Sequence, residues 1–191
     1  MLIALRTLAG VALFVAVLCV LQSFSAVLEY ERQQILAGQV WRLWTGHFVH
    51  SHQTHLAINA MAAIALYIVF LGSIKPIDIL RYGLVFSLLI SLVLLSFYPD
   101  LAWYNGLSGV LHAWVSFAGL RCAYLKSRWY GLGLIAVWGK VLWEMWRAQA
   151  GYQAELGGMT VIVQAHLIGV VLGTLVAVLT VSSSRSTCDA G

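Results

Sequence analysis

Apolar residues run through this chain in six long stretches, and the charged residues fall in short islands between them. The hydrocarbon core of a bilayer is roughly 30 Å thick and takes about 20 apolar residues per helical crossing. Stretches of that kind lie at 2–24, 53–72, 78–98, 106–125, 130–147 and 159–181. The pattern predicts an all-α membrane protein, a bundle of six transmembrane helices with a long outer loop between the first and second. Pro76 and Pro99 stand just past the second and third stretches, where helices end. One transmembrane domain therefore spans 1–181. The residues after it, 182–191, form a short polar cytoplasmic tail that is expected to be disordered.

Composition agrees with this reading. Only 9% of residues are charged and the mean hydropathy is +0.88, against roughly 25% charged in a soluble domain. The first stretch looks like a secretory signal, with Arg6 ahead of an apolar run that ends in Gln22-Ser23-Phe24-Ser25-Ala26. Its run exceeds the roughly 7–15 residues of a signal core, so a retained helix is expected. Lys and Arg favour the cytoplasmic side. With the N-terminus inside, seven of them (Arg6, Lys75, Arg81, Arg121, Lys126, Arg128, Arg185) lie in the cytoplasm and three (Arg32, Arg42, Arg147) outside, while Lys140 falls within a span. Both termini are thus expected inside, and the net charge of +4 reflects topology, with no nucleic-acid partner implied. Cys19, Cys122 and Cys188 have no ligand-like spacing, so neither a disulfide framework nor a metal site nor any other cofactor is expected.

Residues 25–52 make a long connection that mixes Glu29, Glu31, Arg32 and Arg42 with Trp41, Trp44, Phe48 and Val49. Trp prefers the membrane interface, so this segment is expected along the outer surface.

Polar residues inside spans are costly and mark function by default. Here they are His55 and Asn59 in the second span, Ser108 and His112 in the fourth, and His166 in the sixth. These three spans all enter from the outer face, and His55, Ser108 and His166 each fall in the first third of their helix. At roughly 1.5 Å per residue, His166 lies about 10 Å deep, level with the other two. His166, Gly169 and Gly173 share one helix face without bulk, and Ser108, His112, Ser116 and Gly119 make a matching stripe flanked by Gly106 and Gly109. Close packing of these faces would let His166 act as general base on the Ser108 hydroxyl. Ser108 also opens its helix, where free backbone N–H groups favour negative charge. His55 and Asn59, at i and i+4, can add donors to such an oxyanion hole. A serine in a transmembrane helix more often bonds its own backbone, and His166 or Asn59 alone can be a packing residue; the signal is their conjunction at one depth.

Several motifs together resemble the rhomboid proteases: Trp41-Arg42, Thr45, His50, His55-Leu-Ala-Ile-Asn59, Gly106-Leu107-Ser108-Gly109 and Ala165-His166-Leu-Ile-Gly169-Val-Val-Leu-Gly173. The resemblance covers about residues 41–180. It implies an intramembrane protease of six helices with Ser108 as nucleophile, His166 as base, and His55 and Asn59 at the oxyanion hole. A narrower likeness is to the rhombosortase subgroup, through Trp41-Arg42-Leu-Trp-Thr45-Gly-His47-Phe-Val-His50, Gly106-Leu-Ser108-Gly-Val-Leu-His112 and Lys140-Val-Leu-Trp143-Glu144. Ala113 departs from it, since glycine is expected after His112. That likeness implies residence in a bacterial inner membrane with a site open to the periplasm. The implied partners are membrane-anchored substrates whose C-terminal sorting tails carry Gly-Gly, a hydrophobic helix and a basic end.

Three assignments stay open at this level. His112 is a rival base, assigned to packing beside His166 because a hydroxyl at i and a ring at i+4 align poorly for proton transfer. His47, His50, His52 and His55 suggest a metal site, yet no cysteine or carboxylate accompanies them, and His50 is expected to brace the long loop. Lys140 and Glu144, at i and i+4, are expected to form an internal ion pair, with lining of the substrate entrance as the functional alternative. Two other functions compete with a protease: a catalytically silent rhomboid-like binder of transmembrane segments, and a histidine-rich haem or metal carrier.

Overall fold

The computed structural model describes residues 2–70, 73–152 and 161–188, with side chains described for 9–181 of these. The predicted span ends at 71–72 and 159–160 lie outside the described residues. The chain is mostly helical. Long helices occupy each of the six stretches: α1 (Leu2–Gln22), α5 (Gln53–Val69), α6 (Pro76–Phe97), α7 (Ser108–Leu125), α8 (Gly131–Gln149) and α9 (Val163–Cys188). Pro76 occupies the first turn of α6, where its missing N–H costs nothing. Two described helices, over Pro76–Phe97 and Val163–Val181, are long and apolar enough to cross a membrane by length and composition alone. α9 runs on to Cys188. The helix thus extends past residue 182, where the polar tail was expected to begin, and 189–191 lie outside the described residues.

α7 is the axis of the bundle. Ten of its 18 residues are buried, which is why it carries apolar residues on every side as well as small and polar ones. Its most extensive partner is α9, and the fit depends on two glycines. A Cβ at Gly169 would run into the carbonyl oxygen of Gly109, and one at Gly173 into that of Ala113. The expected contact stripe is corrected here by one position around the helix. Gly109 and Ala113, directly under α9, are the residues that must be small, while Ser108 and His112 flank the contact and keep their side chains. Gly119, expected in that stripe, instead faces Tyr130 and Leu134 of the α8 side, 3.3 Å from a Cβ position to each backbone. α6 packs Phe86, Ile90 and Leu94 into the main core, with Tyr82, Trp114 and Phe117 forming an aromatic cluster around Phe86.

The connection 25–52 is a folded unit. It holds α2 (Ser25–Leu28), β1 (Tyr30–Glu31), α3 (Arg32–Leu36) and α4 (Arg42–Thr45). β1 pairs antiparallel with β2 (Trp103–Tyr104), Tyr30 opposite Tyr104. α2 is too short to satisfy its own last carbonyls, and the motif residues of α4 and its approach do so. Trp41 Nε1 donates to Val27 O at 3.1 Å, Thr45 Oγ1 to Leu28 O at 2.6 Å, and the Arg42 guanidinium to Glu29 O at 2.7 Å and Ala26 O at 3.2 Å. Four consecutive carbonyls are thus covered. Arg42 is buried and takes Gln39 as a further partner. Arg32 fastens the unit to the top of α6 through Leu95 O, at 2.8 Å.

Candidate active site

The chain leaves β2, turns at Gly106 and enters α7 at Ser108. Gly106 has φ +112°, a conformation that side-chain-bearing residues avoid, and a Cβ there would meet the His55 ring at 2.5 Å. No side chain caps α7 from the N-cap position. The His50 ring takes that place, its Nε2 accepting the Leu107 N–H at 3.4 Å. Gly106 N–H is met by Gly46 O at 3.1 Å. The turn carrying Ser108 is therefore hung from the connecting segment 46–50. Acceptance by His50 requires a neutral ring, and burial, helped by the charge of neighbouring His55, holds its pKa down to about 4. The backbone of His50 is itself gripped by the Gln22 amide at the end of α1, which accepts from His50 N–H at 2.8 Å and donates to His50 O. Tyr104, whose hydroxyl burial keeps protonated, donates to Gly106 O at 2.7 Å.

Ser108 Oγ and His166 Nε2 lie 2.9 Å apart, within reach for general-base activation. His166 is buried, and its other nitrogen, Nδ1, is 2.9 Å from Glu144 Oε2. The expected Lys140–Glu144 pair is present at 2.5 Å, and the lysine also reaches His112 Nε2 at 3.1 Å. His112 stacks on His166, ring centroids 4.0 Å apart and planes within 15°, and its Nδ1 is 2.7 Å from the Ser108 carbonyl oxygen. It is therefore turned away from the Ser108 hydroxyl. Sequence spacing had joined Glu144 only to Lys140 along α8; its contact with α9 depends on how the two helices pack, which periodicity does not encode.

Ser108 and His166 open on a cavity of about 680 Å³, whose wall also includes His55, Asn59, Lys140 and Glu144. Asn59 Nδ2 and His55 Nδ1 are buried with no hydrogen-bond partner among the described residues. Both residues line the same cavity as Ser108. Of the histidines weighed as a metal set, His50 and His55 touch edge to face at 4.9 Å, His47 is buried against Ser91 at 2.9 Å, and exposed His52 precedes α5. They do not converge. His112, Glu144 and His166 do bring one ligand-type atom each within 4.8 Å. Two rings stacked face to face, however, direct their nitrogens side by side, and the Lys140 ammonium already holds the cation's place on Glu144.

Residues 37–183 match the family model described as Rhomboid domain. No curated protein matches the sequence.

Proposed function

Since the chain belongs to the rhomboid family, a family of intramembrane serine proteases, we propose that it is an intramembrane serine endopeptidase that removes C-terminal sorting tails from exported proteins. The observation that carries the reading is the 2.9 Å contact of Ser108 Oγ with His166 Nε2 on the wall of a cavity that His55 and Asn59 also line. Ser108 Oγ attacks the scissile carbonyl as its proton passes to His166 Nε2. The oxyanion that forms is held by the Asn59 amide, by His55 and by the backbone N–H groups that open α7. His166 then protonates the departing amine, and the acyl-enzyme on Ser108 is resolved by water, or by another nucleophile if the sorting role includes transfer. No cofactor takes part.

The chain is a membrane protein. In this reading α1, α5, α6, α7, α8 and α9 are its six spans, set in a bacterial inner membrane with both termini cytoplasmic and the cavity open to the periplasm. The charge distribution supports that orientation. α7 can be less apolar than α6 because its neighbours, more than lipid, surround it.

The rhombosortase subgroup is supported by the motifs at 41–50, 106–112 and 140–144. A Gly-Gly step suits such a site physically. Glycine costs a helix roughly 1 kcal/mol relative to alanine, so the substrate helix unwinds there at least cost, and no side chain obstructs the approach to Ser108. A basic end would keep the tail's C-terminus inside, fixing the scissile bond at the serine's depth.

The test is co-expression with a secreted protein bearing a Gly-Gly, hydrophobic helix and basic tail, with the new C-terminus mapped by mass spectrometry. Cleavage at the Gly-Gly step that is lost in Ser108→Ala supports the reading, and falls about 100-fold or more in Asn59→Ala. Cleavage that persists in Ser108→Ala overturns it.

A further inference from the structure

With Glu144 ionised and both rings neutral, the hydrogen-bonding groups around Ser108 take one arrangement of protons, which follows from what each partner can do. The Ser108 carbonyl can only accept, so His112 Nδ1, 2.7 Å away, carries a hydrogen. Its Nε2 is then a lone pair, as required to accept from the Lys140 ammonium at 3.1 Å. The same ammonium donates to Glu144 Oε1 at 2.5 Å. The other carboxylate oxygen, Oε2, can only accept, so His166 Nδ1 at 2.9 Å carries a hydrogen. In the neutral ring His166 Nε2 is then a lone pair facing the Ser108 hydroxyl at 2.9 Å. The circuit leaves from the carbonyl of Ser108 and returns to its side chain, and every link fixes the next.

We propose that Glu144 is a positioning residue for His166, with Lys140 and His112 locking the carboxylate and the ring in place, so that the protease works with a Ser–His–Glu arrangement. This rests on the reading of Ser108 as nucleophile. A neutral imidazole has two tautomers, and only the one with hydrogen on Nδ1 can take the serine proton. Glu144 selects it. When the proton arrives, His166 becomes an imidazolium whose Nδ1–H faces the Glu144 carboxylate, which favours the charge. Lys140 keeps Glu144 from turning toward solvent, and without His112 the lysine would lose its second acceptor. A cation at the same place is disfavoured by the ammonium already there.

The experiment measures labelling of the purified full-length protein by a fluorophosphonate, separating the maximal labelling rate from the probe concentration at half-saturation. Loss of the wrong-tautomer barrier in Glu144→Gln lowers the maximal rate by roughly 100- to 10,000-fold, with half-saturation unchanged. Glu144→Asp, which restores the charge one methylene short, recovers the rate to within about tenfold of the native protein, and Lys140→Met falls by about tenfold. Thermal unfolding of each variant in detergent is followed in parallel. If Glu144→Gln does not fold, Lys140→Met decides: a maximal rate about tenfold lower at unchanged half-saturation supports the proposal, and a native rate overturns it. A native rate in folded Glu144→Gln also overturns it while leaving Ser108 as nucleophile. Labelling that persists in Ser108→Ala instead removes the reading on which the proposal stands.

Discussion

Gly169→Ala adds one methyl group where α9 presses on α7. The new carbon would stand 3.2 Å from the carbonyl carbon of Gly109 and 3.2 Å from the amide nitrogen of Ala113, with the Gly109 oxygen closer still. Carbon atoms in contact prefer about 3.5–4.0 Å, and the atoms in the way are backbone, which cannot rotate aside. The helices must part by on the order of 1 Å at this level. Gly109 is next to Ser108 and Gly169 lies one turn below His166, so most of that movement reaches the 2.9 Å contact between them and stretches it to about 4 Å, past hydrogen-bond range. Overpacking of this kind costs about 1–3 kcal/mol of stability, and misplacing a catalytic pair by about 1 Å costs about 100-fold in rate. The assay is fluorophosphonate labelling of the folded fraction, with Gly139→Ala in α8 as control, since nothing lies within 4 Å of a Cβ there. Labelling of Gly169→Ala at the rate of the control would refute the claim that close backbone contact sets the catalytic distance.

Arg42→Met keeps the stem of the side chain but leaves Ala26 O and Glu29 O without their donor. The expected loss is about 3 kcal/mol, seen as a lower thermal midpoint in detergent with labelling per folded molecule unchanged; an unaltered midpoint would contradict the clamp described for this segment. Acid should weaken the same region. His50 has its pKa held at about 4 against an ordinary 6.5, so between those values the unfolded chain takes up a proton that the folded chain refuses. Stability present above pH 6.5 is therefore lost as pH falls toward 4, with buried His47, held at about 3, adding in the same direction. Unfolding midpoints measured from pH 7 to 4 should decline, and His50→Gln should flatten part of that decline.

The long helices could be read from the chain because apolar runs of about 20 residues have few alternatives, and Ser108 and His166 because polar groups within such runs are conspicuous. The stacking of His112 on His166 agrees with the packing expected from its one-turn offset from the serine. The connecting segment was not legible as structure. β1 and β2 are two residues each and 73 positions apart, too short to show alternation and too distant for any local signal. Arg42 reads as a surface charge until the carbonyls of α2 are found to need it. Ala113, a departure from the expected glycine, proves to sit at the α9 contact, where alanine is still small enough because Gly173 faces it.

The turn that presents Ser108 hangs from residues 46–50, and both ends of that suspension are glycines with no room to spare. A Cβ at Gly46 would stand 2.6 Å from the backbone nitrogen of Tyr30, and one at Gly106 would strike His55. Both positions must therefore stay bare. Larger residues at either would reach the nucleophile through the backbone, even though Gly46 lies 62 positions before it in the chain. A side chain enlarged at an exposed position of α2 or α3, such as Val27 or Leu36, has no such route to the serine.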